Sequence, residues 1–192
     1  MSLTERQRKA MRKKIALDVL KQLKSRKLIS RNLSYCLPKK EICLSYRDMN
    51  AQQVFNEVFD GCRACAMGSL LLSNVRLNNK LLVRDLYPLC QPEIHYFLSD
   101  YFDIKTLLCI EAFFEGSIVE TIYSMDEAEK IKIVEIGEYS SQFRFFFKKS
   151  RTPTKRLRLI MQNIVDGKGD FCGRRLCAQF LKAKKPVRTV KV

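Results

Sequence analysis

The sequence predicts a mostly α-helical domain wrapped around one buried central helix, with at most a short β-hairpin. Three observations carry this. Between Arg63 and Arg76 no side chain bears a full charge, Cys65 as a thiolate apart, and the stretch is small or apolar on every side. A helix with no polar face belongs inside a fold. Several flanking segments repeat apolar residues with a period near 3.6, the mark of helices that bury one face. The absence of Trp, with only 7 Gly and 5 Pro, fits helices better than a sandwich of short strands.

At 192 residues, 46% hydrophobic and 29% charged, the chain can fill one core. It reads as a single helical domain over residues 1–185, followed by a basic tail over 186–192. Residues 5–24 come first. Met11, Ile15, Ala16, Val19, Leu20 and Leu23 share a face, with Lys13, Lys14, Lys21 and Lys24 opposite. Residues 32–36 and 41–44 suggest two short strands across the Pro38-Lys39-Lys40 turn. Asn50, with Gln53 three residues on, reads as a helix start that turns Val54, Phe55, Val58 and Phe59 inward until Asp60-Gly61. The central helix follows over 61–75, where Ala64, Ala66, Gly68 and Ser69 admit close neighbours and Leu70, Leu71, Leu72 and Val75 supply the burial.

Asn78-Asn79 and Tyr87-Pro88 mark a loop. Pro92 suits a first helical turn, giving a helix over 92–101. Asp103 then caps a helix over 104–115, which Gly116 stops. Ser124 to Glu127 has capping-box spacing, which predicts a helix over 125–136. Thr152-Pro153 supplies cap and first residue for a helix whose Leu157, Ile160, Met161 and Ile164 fall at i, i+3, i+4 and i+7, with Gly167 at its end. A last basic helix over 173–184 turns Leu176, Cys177, Phe180 and Leu181 to one side.

Charge is the strongest functional lead. The net charge is +16, distributed as +9 over residues 1–32, −6 over 33–143 and +13 over 144–192. Basic ends around an acidic middle imply either a polyanionic or acidic-protein partner, or ends that fold back on the protein's own carboxylates. Lys and Arg bind phosphate backbones through counterion release without base preference. The candidates are Arg8, Arg12, Lys13, Lys14, Lys21 and Lys24 near one end, and Arg151, Lys155, Arg156, Arg158, Arg174 and Arg175 near the other. A helix-turn-helix signature is missing, so base readout is not expected.

The second lead is Cys62-x-x-Cys65, which on a helix places both sulfurs on one face near a thiol-acidifying N-terminus. Eight Cys with no secretory apolar region and no membrane-length run predict a reducing, cytoplasmic setting. A zinc site would need two further ligands, from Cys36/Cys43 or Cys172/Cys177. A redox motif would need a preceding strand, and the pattern reads as helix there. Buried apolar thiols are the plainer reading. Glu111 and Glu115, one turn apart on an apolar stripe, suggest either paired catalytic or metal-binding carboxylates or partners for an Arg from another helix. The run from Gln142 to Lys149 mixes Phe with cations, as a base-stacking surface does, but three successive Phe more often fill a core. His95 is the one histidine and reads as structural. No Walker A, Rossmann glycine pattern or H-E-x-x-H occurs.

Four segments together resemble small, uncharacterised proteins of bacteriophages and prophages. They are Ile15-Ala16-Leu17-Asp18-Val19-Leu20, Cys62-x-x-Cys65-Ala66-x-Gly68, Ile110-Glu111-Ala112-Phe113-Phe114-Glu115, and Arg156 to Ile164 running into Gly169-Asp170-Phe171. The resemblance touches about a third of the chain and omits residues 117–150 and the tail. It implies a viral origin and no particular activity. The expectation is a non-enzymatic binding protein without a cofactor, acting in the host cytoplasm on nucleic acid or an acidic host protein, such as a defence machine it inhibits. The alternative is a thiol- or metal-dependent enzyme centred on Cys62/Cys65 with Glu111/Glu115.

Overall fold

The computed structural model describes residues 3–32, 35, 37–38, 44–78, 81–86, 91–116 and 140–182. The chain is mostly α-helical, as the sequence predicts. Its helices are α1 (Glu5–Lys24), α2 (Phe55–Val58), α3 (Ala66–Asn78), α4 (Gln91–Leu98), α5 (Ile104–Glu115), α6 (Ser140–Ser150), α7 (Pro153–Asp166) and α8 (Gly173–Lys182). Two three-residue strands, β1 (Leu28–Ser30) and β2 (Cys62–Ala64), pair in parallel with Leu28 opposite Cys62.

The uncharged stretch lies at the centre. Every residue of α3 from Ala66 to Val75 is buried, and α3 packs on α1, α4 and α5. Ser69 satisfies its hydroxyl by donating to the Cys65 carbonyl at 2.6 Å. Gly68 is required by contact rather than by backbone angle: a Cβ there would sit 1.3 Å from the Tyr35 carbonyl oxygen. The loop through residue 35 can therefore cross α3 only over a glycine.

A second half of the core is aromatic. Phe113 of α5 meets Phe143, Phe146 and Phe171 edge-on at 4.8–5.6 Å between ring centres, and Phe146 meets Phe180. Edge-to-face geometry sets positive ring edges against negative faces and adds to the area buried. The Phe-rich run of α6 is thus core on one side, with Phe143 and Phe146 fully buried. Both halves belong to one continuous cluster of buried side chains.

Helix ends follow local chemistry. Thr4 and Gln7 form a reciprocal capping box at α1. The Asp103 side chain accepts from the Thr106 N–H at α5, and Gly116 closes that helix in the left-handed region. Thr152 caps α7 with Pro153 in its first turn.

Three expectations are corrected. Among the described residues the sheet is a parallel pair over residues 28–30 and 62–64, where the sequence predicts no strand, and residues 33, 34, 36, 39 and 40 of the expected hairpin lie outside the described residues. Residues 41–43 fall outside the described residues, and Leu44–Tyr46 is a 3-10 turn. The helix expected from Asn50 shrinks to the single turn of α2, because the Ala51 N–H donates to the Leu81 carbonyl at 2.7 Å and Asn50 bridges to Leu82. Cys62 lies in β2, so a strand rather than a helix stands at the C-x-x-C motif. The helix expected over 125–136, the Asn79 and Tyr87-Pro88 loop positions and the 186–192 tail lie outside the described residues.

Candidate functional site

The N- and C-terminal basic regions are brought side by side. α1 packs against α7 more extensively than any other pair of described elements. The two run antiparallel. Lys9 near the start of α1 meets Asp170 just past the end of α7, with Nζ to Oδ2 at 2.6 Å. At the other end, Arg156 near the start of α7 donates to Asn32 Oδ1 at 2.7 Å, beyond the end of α1.

Three of the twelve candidate cations are committed to this architecture, which corrects their assignment to a binding surface. Arg12 is buried. Its Nε donates to the Gly169 carbonyl and its Nη1 to the Tyr101 carbonyl, both at 2.8 Å, while Nη2 pairs with Glu5 and Asp170. Gly169 has φ 105°, and a Cβ on it would lie 2.2 Å from the Lys9 carbonyl oxygen, so only glycine lets α1 come this close. Arg156 is also buried, with its guanidinium stacked 4.1 Å from the Phe147 ring centre and 5.5 Å from that of Phe114. Burial pulls its pKa down, and the Glu115 charge opposes that shift. Arg175 is half-buried. Its Nη2 donates to the carbonyls of Asn163 at 2.6 Å and Asp170 at 2.8 Å, closing the C-terminal end of α7.

The remaining cations are differently placed. Lys13, Lys14, Lys21 and Lys24 are exposed along the outer face of α1. Lys155 and Arg158 are exposed on α7, Arg151 in the turn before it and Arg174 on α8. Among the described residues, none of these eight takes part in an ion pair. Lys155 lies 5.9 Å from the Phe180 ring centre. Arg8 is half-buried, its Nε meets no partner among the described residues, and it lines a cleft of about 290 Å³ with Glu5, Arg12 and Asp170.

α1 has two carboxylates, and guanidinium groups engage both. Glu5 pairs with Arg12. Asp18 is buried against Arg76 of α3, whose Nε donates to its Oδ2 at 2.8 Å. The outer face of α1 is left with Arg6, Lys13, Lys14, Lys21 and Lys24 and with no unpaired acid. Two members of that face escaped the sequence reading, Arg6 and the half-exposed Leu17. Both fall on the side of the helix opposite Ile15, Val19 and Leu23, which was the available signal.

The second constellation is internal. The Tyr35 hydroxyl donates to Glu111 Oε1 at 3.0 Å, and burial followed by the Glu111 charge pushes the Tyr35 pKa up. Cys65 is buried close enough to Glu111 and Glu115 to feel their charge, and burial above all raises its pKa. Cys62 stands apart on β2, with its thiol pushed up to about 12 by burial, and Asp60 adding to the rise. The two sulfurs do not share a helix face. A thiol held protonated at neutral pH is a poor nucleophile and a poor metal ligand. Cys109 and Cys177 are shifted upward by burial as well. No group of three or more His, Cys, Asp or Glu among the described residues is arranged to hold a metal ion. His95 is buried on α4, and neither ring nitrogen has a partner among the described residues.

No family model matches the chain. No curated protein and no solved structure matches it either. Among the described residues, no helix is long and apolar enough to cross a membrane.

Proposed function

We propose that the chain is a non-enzymatic binding protein, of the phage-borne kind its segments resemble, that docks on a polyanion in its host through the outer faces of α1 and α7. The carrying observation is the outer face of α1: five exposed cations and no unpaired carboxylate along one helix. Such a face concentrates positive potential without a self-neutralising partner. Nucleic acid backbones and acidic protein surfaces both meet this requirement, and covering either would let a small protein block a host machine such as a defence complex.

Binding to duplex DNA, heparin and poly-glutamate over a salt series tests the reading. Affinity should fall steeply as salt rises, because displaced counterions drive the association. Reversing Lys13, Lys14, Lys21 and Lys24 to Glu should abolish it while the protein stays folded. Failure of every polyanion to bind at low salt overturns the reading.

The alternative, a thiol- or metal-dependent centre, is favoured by one observation only: Cys65 lies beside Glu111 and Glu115. Stoichiometric zinc in the purified protein, or rapid alkylation of Cys65 at neutral pH, would move the balance toward it.

A further inference from the structure

The outer face of α1 is not uniformly charged. Ala10 and Leu17, seven residues apart, draw a line along one side of α1, and Leu3, which precedes the Thr4 cap and so stands outside the helix, sits beside Ala10 at its start. Leu3 is 38% exposed and Leu17 47%. Leu3 and Ala10, with Met11, Lys14 and Tyr101, line a groove of about 310 Å³. Arg6, Lys13 and Lys24 lie on one side of this line, and Lys14 and Lys21 on the other, at the angles that helix geometry assigns them.

A phosphate backbone makes use of the cations and has no use for a line of aliphatic side chains between them. A second copy of the chain would bring five cations against five, which repel. An amphipathic helix with an apolar stripe flanked by Asp and Glu fits both elements at once, with its apolar residues seated in the groove and on Leu17 and its carboxylates on the two rows of cations. We propose that α1 is a docking helix for an acidic amphipathic helix of a partner protein. This rests on the polyanion-binding reading above and narrows it to one class of partner.

The probe is a labelled peptide of about 20 residues, with Leu at heptad spacing and Glu on both flanks. A control peptide carries Gln in place of each Leu, and a duplex DNA of similar charge is run alongside. The Leu peptide should bind at least about tenfold more tightly than its Gln control, and Leu17→Gln should remove about that factor while leaving DNA binding unchanged. Leu17 is half-exposed, so this variant keeps its fold, which circular dichroism checks. Lys13→Glu with Lys14→Glu should weaken both peptides. Equal binding of the two peptides, or indifference of the Leu peptide to Leu17→Gln, overturns the proposal even if DNA or poly-glutamate binds well. Tighter binding of DNA than of the Leu peptide, competing for the same lysines, overturns it in favour of nucleic acid. If no polyanion binds, the parent reading falls first.

Discussion

The seam between α1 and α7 and the outer face of α1 draw different members from the same basic segments and put them to opposite uses. In the seam, Arg12 and Arg175 are fixed by carbonyl oxygens, with carboxylates also on Arg12, and Arg156 is flattened on two Phe rings. On the outer face, lysines one or two residues away carry their charge into water. Arginines alone take the buried positions, although Arg6 shares the outer face, and side-chain chemistry explains why. A planar guanidinium with five donors can satisfy several acceptors at once inside a protein, whereas a compact ammonium is strongly hydrated and keeps to the surface. A net charge of +16 therefore overstates what a partner meets, and the guanidinium groups of the seam should be subtracted first.

The contrast breaks most readily at Arg12. Arg12→Met should destabilise the fold by about 3 kcal/mol or more, since it leaves two carbonyls and two carboxylates without their buried donor. Urea denaturation measures this, and a loss near zero would mean that the seam is not held as described.

Acid tests a third place, belonging to neither region. His95 is buried with its pKa pushed down to about 4 by burial, against 6.5 in an unfolded chain. Its contribution is complete above pH 6.5, where both states are neutral. As pH falls from 6.5 toward 4 the unfolded chain takes up a proton that the folded one refuses, so stability declines, by about 3 kcal/mol at most. Denaturation at stepped pH should show this slope, and His95→Phe should flatten it.

Arg156→Lys sharpens the comparison at constant charge. It forfeits stacking on Phe147 and the bond to Asn32, for an expected loss of about 1–2 kcal/mol. The opposite pole is Lys13→Glu with Lys14→Glu, which should change stability by no more than about 0.5 kcal/mol while strongly weakening polyanion binding. A large stability change there would place those lysines in the architecture after all.

Much of the fold was legible because its signals are local. The periodic face of α1, the Asp103 and Gly116 caps of α5, and Thr152-Pro153 ahead of α7 each specify an element within a few residues, and all three stand where expected. What escaped depends on distant partners. The strand at Cys62 exists only because Leu28 lies beside it, and three residues are too few to show alternation. Residues 50–54 carry a helix-start pattern that pairing with Leu81 and Leu82 overrides. For the candidate cations a local sign was present. Arg12 precedes Ala16, Val19 and Leu23 at i+4, i+7 and i+11, and Arg156 precedes Ile160 at i+4, so both sit in the inward stripe. Which carbonyl or ring each would meet is tertiary information, as is the pairing of Asp18 with Arg76.

The bond from Arg12 to Gly169 spans 157 residues of chain. During synthesis α3 reaches the first long helix early, but the seam with α7 cannot close until the chain has been made as far as Gly169. Until then the part of its apolar side that faces α7 has no cover, and contacts of such long range slow the final closure. A newborn chain of this kind keeps that one seam open the longest, which makes the unclosed side of α1 the natural place for a chaperone to hold it.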